Sequence, residues 1–420
     1  MNAPQSLIDL PQHTPRSSDK RTPLDGLRVV DFSHFVAGPM CTMLLGDLGA
    51  EVIKIENAAR GDDFRGFKPF LGGEPVPFMW VNRNKRGIAL DLTREEARTV
   101  AIDLIKTSDI LVENFSKGVM ERFGLGYDTV REINPRIIYC CVSAYGRDGA
   151  LSDRLGFDPV VQAETGFMSL NGFPDQDGVR TGPAVMDIST GMMAALAALG
   201  ALAARERTGK GQRVEVALYD TAALMLGFHA LNYLATGDNP TRFGNRSVDS
   251  VPTGVFNTGD GALYIACAND RTYRRLVVDV FQRKDLAEHA DFATNTSRVA
   301  HREELTAIIE QILSEDGCEA WAAKMQKAGV PAGVARTVEG AFQSSDMADR
   351  GLARLIPHPT AGFVPNIASP LNFSETPIAD PVAAPVLGQD TYDVLTRTLG
   401  YPRDRVAGLV ASGAARSTSP

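Results

Sequence analysis

Cysteine and histidine are scarce in this chain, and neither falls in a pattern that carries chemistry. Among 420 residues there are five cysteines and six histidines. Cys41, Cys140, Cys141, Cys267 and Cys318 include an adjacent pair and show no C-x-x-C spacing. That excludes a disulfide framework and a zinc ribbon, and it fits a reducing compartment, so a cytoplasmic location is expected. The histidines form neither H-x-H nor H-E-x-x-H, and no dedicated metal centre is expected. Positive charge is not in excess: 43 Lys and Arg against 51 Asp and Glu leave a net charge of −8. This argues against a general nucleic-acid or acidic-membrane binder, while a local basic patch could still hold a phosphorylated ligand. Long apolar runs are missing too. The stretch 192–204 is almost wholly apolar but has only 13 residues, whereas a bilayer span needs roughly 20, so it reads as a core helix. Neither G-x-G-x-x-G nor G-x-x-x-x-G-K-[ST] occurs, which removes support for ordinary NAD binding and for P-loop phosphate transfer.

What remains is an ordinary globular composition, 44% apolar and 22% charged, on a chain long enough for two domains. The first 22 residues carry Asp9, Asp19 and three prolines. They lack the apolar core of a signal peptide and the acid-free, Arg-rich make-up of a transit peptide, and read as a disordered tail. From Pro23 the pattern changes. Residues 27–32 (LRVVDF), 51–56 (EVIKIE), 87–92 (GIALDL), 109–113 (DILVE), 136–143 (RIIYCCVS) and 213–218 (RVEVAL) read as buried strands. Gly38 and Pro39 open a helix that Gly49 closes, and Thr93 with Glu96 spells a capping box for a helix to about Lys106. Helices alternating with continuous apolar strands predict an α/β fold with a mostly parallel sheet. At 237–240 (GDNP) the pattern breaks; two strands around 259–261 and helices near 271–282, 303–313 and 317–328 make a smaller α+β domain. The expected division is a large discontinuous domain, 23–235 with 355–405, a small domain with its linkers, 236–354, and a flexible tail, 406–420.

Two acidic residues and one turn are candidates for chemistry. Asp187 interrupts PAVM and precedes ISTG at the start of the apolar helix. There the positive end of the helix dipole would keep a carboxylate ionised, and a water-poor carboxylate can attack an acyl group; a plain N-cap is the competing reading. Asp158, in GFDP, reads as a loop residue, and aspartate before proline commonly only shapes a turn. The turn 33–39 (SHFVAGP) joins a strand to a helix, where α/β proteins bind ligands. His34 within it could act as a base or could simply pack.

Taken together, the motifs resemble the class III CoA-transferase family, the formyl-CoA transferase and carnitine CoA-transferase group. The resemblance runs from PLDGLRVVDFSHFVAGP at 23–39 and GDLGAEVIKIE at 46–56 through VNRNKRGIALDL at 81–92, VENF at 112–115 and MERFGLGY at 120–127. It continues with GFDPVVQAETG at 156–166, MDISTG at 186–191, RTGKGQ at 207–212 and PVLGQD at 385–390. It implies a Rossmann-like large domain that binds coenzyme A, a smaller α+β domain, and a homodimer of interlocked rings. It implies no permanently bound cofactor, with CoA thioesters as substrates, and no nucleic-acid or membrane partner. Asp187 falls at the family's catalytic aspartate, and Val36, Ala37, Asn114, Phe115 and Arg122 fall at CoA-contacting positions. Val36 stands where formyl-CoA transferases carry glutamine, and 244–251 lacks their glycine-run loop. The pattern looks most like the branch that moves CoA from succinyl-CoA to dicarboxylates, with Asp158 and Arg246 (or Arg242 or Arg271) as candidate substrate contacts. Two alternatives follow from the same family: an α-methylacyl-CoA racemase, whose histidine is replaced here by Phe157, and a non-catalytic CoA-binding subunit.

Overall fold

The structure is a computed structural model that describes residues 10–16 and 20–418. The chain divides into two compact units. The larger comprises Met1–Phe167, Thr181–Leu231 and Asp346–Pro420; the smaller comprises Met168–Arg180 and Asn232–Ser345.

In the larger unit the apolar runs pair as expected of continuous hydrophobic strands. Arg28–Asp31 (β1), Glu51–Asn57 (β2), Lys85–Leu90 (β3), Ile110–Glu113 (β4), Ile138–Ser143 (β5) and Gln212–Ala217 (β6) form one parallel sheet in the order 3-2-1-4-5-6. Side chains alternate between its faces. Val30, Ile53, Ile88 and Leu111 pack with helix Glu95–Lys106, while Val29, Val52, Ile110, Val112 and Ile138 pack under Ala37–Asp47 (α1) and the long helix further on. Each fully buried aliphatic side chain contributes roughly 1.5–3 kcal/mol of transfer free energy. The chain leaves β1 toward β2 and reaches β4 from β3, so the strand order reverses between β1 and β4. An open parallel sheet binds ligands at the carboxyl ends of the strands flanking such a reversal.

Three segments depart from the sequence reading. The Thr93–Glu96 capping box does not form: Thr93 gives its N–H and hydroxyl to the Asp91 carboxylate (3.1 and 2.6 Å), and the helix begins at Glu95 without a side-chain cap. Residues 406–418, taken as part of a tail, instead carry most of helix Arg403–Ala411 and strand Ala415–Arg416, which pairs antiparallel with β3. Val406 and Leu409, one turn apart, supply the buried face. In the presumed N-terminal tail, Gln12 bridges to Leu355 and His13 Nε2 lies 3.0 Å from Asp380; residues 1–9 and 17–19 of that tail lie outside the described residues.

The apolar run near 192 is part of a 24-residue helix, Val185–Thr208. By length and composition it could cross a bilayer. One stripe of it, Gly191, Ala194, Ala195, Ala198 and Ala201, is buried against α1 and β5, and its last turn holds Arg205 on Asp109 at 2.9 Å. Gly191 sets the closeness of the crossing: a Cβ there would stand 2.6 Å from the Ala37 carbonyl oxygen and 2.7 Å from Met40. Two helices that cross this tightly near their N-terminal ends bring Asp187 beside the β1–α1 turn. The smaller unit has its own core, with an antiparallel sheet of Thr253–Asn257, Ala262–Ala266 and Ala332–Val334 covered by helices including Arg302–Leu313 and Cys318–Lys327.

Candidate active site at the sheet reversal

The turn after β1 is held by charges buried in the sheet. Asp31 accepts the Ser33 N–H (2.9 Å) and hydroxyl (2.5 Å), the Thr42 hydroxyl (2.7 Å) and Lys85 Nζ (3.0 Å). Lys54, fully buried in β2, donates to the Ser33 carbonyl (2.6 Å) and pairs with Asp62 at 3.0 Å. Asp62 in turn accepts the Phe35 N–H at 3.2 Å. Burial alone would raise the Asp31 carboxyl, but Lys85, Lys54 and the Ser33 and Thr42 hydroxyls together outweigh it and hold Asp31 at about 2. Burial likewise works against Asp62, but Lys54, His34 and the Phe64 N–H together more than offset it, so that carboxyl stays well below its ordinary range. Burial pushes the Lys85 ammonium down to about 8, which leaves it charged at neutral pH. Removing one member of such a network strands a buried charge and costs about 3–5 kcal/mol. The turn is thereby locked with Phe35 at φ 61°, a left-handed conformation that a phenylalanine reaches only under constraint. Gly38 is required by contact: a Cβ would sit 2.3 Å from Ser33 Cβ.

Asn114, on the turn after β4, clamps the same loop from the other side. Its carbonyl accepts the His34 N–H and its amide donates to the His34 carbonyl, both at 2.8 Å. Phe115 lies against the His34 ring, centroids 4.9 Å apart. These two turns and the start of the long helix enclose a cavity of about 580 Å³, within the range of small-molecule sites. Val36, Ala37, Asn114, Phe115 and Asp187 all line it, with His34, Phe35 and Phe157.

The other candidates lie elsewhere. Arg122 is exposed on the short helix Val119–Arg122 and is not among the lining residues. Arg246, in the smaller unit, has its guanidinium on Glu303 at 2.7 Å. Arg242 donates from Nε, Nη1 and Nη2 to the carbonyls of Phe173, Ser169 and Gln176, and so serves to tie segment 168–180 to its own unit.

The capping role that the sequence left open for Asp187 belongs to Asp158. Asp158 is the buried residue that begins helix Asp158–Glu164, not a loop residue. One carboxylate oxygen accepts the N–H of Met186 (2.6 Å) and of Asp187 (3.2 Å), and the other accepts the Gln162 amide (2.5 Å). It therefore caps the long helix from outside and does not line the cavity. Asp187, the third residue of that helix, finds its own N–H already taken and faces the cavity half-buried. Burial, and secondarily the Asp158 charge, push its carboxyl up to about 7. The dipole alone would have lowered it; desolvation and a like charge win. Replacing Asp158 with Asn should then lower the titration midpoint of the Asp187 carboxyl, followed by carboxyl carbon NMR, by less than half of its rise because burial is the larger cause. A midpoint that stays in place would show that Asp158 does not act on the Asp187 carboxyl.

Sequence reasoning missed the Asp31–Lys85 and Lys54–Asp62 framework. The available signal was a lysine inside the apolar run of β2, where only a partnered charge can be buried.

A profile described as CoA-transferase family III matches residues 24–391. The chain belongs to CoA-transferase family III. It is a CoA-transferase, an enzyme that uses CoA thioesters as substrates. It is 34% identical over 396 residues to the succinyl-CoA:glutarate CoA-transferase of Mus musculus, spanning 94% of this chain and 91% of the mouse protein. It is 38% identical over 312 residues to the acetyl-CoA:oxalate CoA-transferase of Acetobacter aceti, spanning 74% and 80%. Among solved structures, a CaiB/BaiF family protein from Brucella suis superimposes with TM-score 0.81 at 36% identity, over 90% of this chain and all of that one. CoA-transferase family III thus accounts for the α/β fold as well as the motifs.

Proposed function

We propose that this CoA-transferase moves coenzyme A from succinyl-CoA to a small dicarboxylic acid, with Asp187 as the covalent nucleophile. One observation carries the reading: a carboxylate raised to about 7 and lacking a cation partner among the described residues faces the cavity at the sheet reversal. A carboxylate that burial leaves poorly solvated is the more nucleophilic. Asp187 attacks the thioester carbonyl, forming a mixed anhydride and releasing the CoA thiolate. The thiolate attacks the aspartyl carbonyl, giving an aspartyl-CoA thioester and the free donor acid. The acceptor carboxylate then attacks that thioester, and the released thiolate takes the new acyl group, restoring the Asp187 carboxylate. Each step exchanges one activated acyl bond for another, so the thioester energy is not lost to water. Val36, Ala37 and Phe115 would line the CoA path, with Asn114 holding the turn they share.

Relatives named for succinyl-CoA with glutarate and with mesaconate support this donor and acceptor class. The enzyme works as a homodimer: Leu196, Leu224 and Phe228 are 61%, 67% and 62% exposed in a single chain, large apolar side chains that a second copy would cover. Its five buried free thiols suit the cytoplasm. Phe157 lines the cavity where a two-base racemase needs a proton carrier, which disfavours racemisation.

Assays pairing succinyl-CoA or acetyl-CoA with glutarate and with pentanoate test the assignment. Succinyl-CoA with glutarate should exceed the pentanoate reaction by about 100-fold or more in kcat/KM, because a site built for a remote carboxylate is left unpaired by the analogue. Equal rates for the two acceptors would overturn the dicarboxylate class. Deuterium exchange at the α-carbon without any CoA transfer would favour the racemase.

A further inference from the structure

A second cavity of about 330 Å³ lies in the same unit and shares no lining residue with the first. It sits at the other end of α1. Ala37, the first residue of that helix, lines the first cavity; Asp47, the last, lines the second, about 15 Å away along the axis.

The charge in this cavity is uneven. Asp47 has both oxygens on Arg83, Oδ1 to Nε at 2.9 Å and Oδ2 to Nη2 at 2.6 Å. Asp380, the other lining acid, accepts the Arg16 N–H at 3.0 Å and stands 3.0 Å from His13 Nε2. Three further guanidiniums line the cavity, those of Arg16, Arg350 and Arg354, and among the described residues none forms an ion pair. Ser369 Oγ is buried at the same wall with no hydrogen-bond partner. A buried hydroxyl without a partner is uncommon, since it forfeits its hydrogen bond to water. Arg16 and Arg350 are exposed and Arg354 is half-buried, so the three guanidiniums are open to an anion entering from solvent. Guanidinium groups meet carboxylates and phosphates through paired N–H donors, and the volume is at the small end of ligand sites.

We propose that this cavity binds a small polyanion bearing two or more carboxylate or phosphate groups. Arg350 and Arg354 grip it on one side, Arg16 closes from the N-terminal segment, and Ser369 Oγ donates to it. The N-terminal segment is otherwise held by two backbone hydrogen bonds to Leu355 (2.8 and 2.9 Å) and by Asp380. A bound anion therefore fastens 11–16 to the body of the unit, and trypsin cleavage after Arg16 slows.

The full-length protein, titrated calorimetrically at low ionic strength with citrate and separately with inorganic phosphate, tests this. At least one anion should bind saturably, with slower cleavage after Arg16. The Arg350→Met, Arg354→Met double variant should weaken that binding at least about 10-fold while CoA transfer is unchanged. Ser369→Ala removes no charge and guards against a folding defect in the double variant; it should weaken binding about 3-fold or more at unaltered thermal stability. The better-bound probe assigns the ligand to the carboxylate or the phosphate class. No saturable binding of either anion, or equal affinity in the wild type and both variants, overturns the site.

Discussion

Asp187→Ala should leave a folded protein in which CoA transfer is at least about 1,000-fold slower, as happens when a covalent nucleophile is removed. Three carboxylates line the cavity, and two are already engaged. Glu56 holds Arg65 through both oxygens (2.6 and 2.7 Å), and Asp63 lies 3.8 Å from Arg60. Neither can replace a nucleophile that must be free of a cation to attack. Alanine at 187 removes no buried partner, because the N–H groups of that turn belong to Asp158. Circular dichroism and a melting curve establish that the variant is folded. A variant that keeps even a tenth of the wild-type rate would remove Asp187 from the chemistry.

Asp187→Asn should be more stable than the wild type above pH 7, although inactive. The carboxyl sits at about 7 when folded against 3.8 when unfolded. A raised folded value means that Asp187's contribution is fully present below pH 3.8 and is lost as pH rises through 7. Above that the charged side chain costs the fold about 4 kcal/mol relative to its neutral form, an upper figure because the group keeps some contact with water. Asparagine has the same shape and does not titrate, so its advantage should be largest at pH 8 and markedly smaller at pH 5. Urea denaturation at the two pH values measures it. An advantage independent of pH, or none, would show that the carboxyl is not held out of its ordinary range.

Much of this was written locally. Runs such as LRVVDF, EVIKIE and RIIYCCVS gave continuous apolar strands, and their alternation with helices implied the parallel sheet that places the site. Asp187 stood out because it breaks an apolar helix at its first turn. The missed features depend on partners distant in sequence. Asp158 caps a helix that starts 27 residues later, so its local GFDP setting suggested a turn. Lys54 is buried because Asp62 and the Ser33 carbonyl meet it across the sheet. Thr93 preferred the Asp91 carboxylate two residues back to a helix N–H ahead, a competition the motif alone does not reveal. Segment 168–180 joins the smaller unit through Arg242, a long-range staple with no local signature.

The covalent role of Asp187 is tested most directly by trapping it. The wild-type enzyme, given succinyl-CoA and hydroxylamine without an acceptor acid, is digested and its peptides are weighed. The Asp187 peptide should carry a hydroxamate, formed by attack on the aspartyl-CoA thioester, only when the donor is present. An unmodified Asp187 in enzyme that is fully active, or a hydroxamate on another carboxylate instead, would contradict the mechanism.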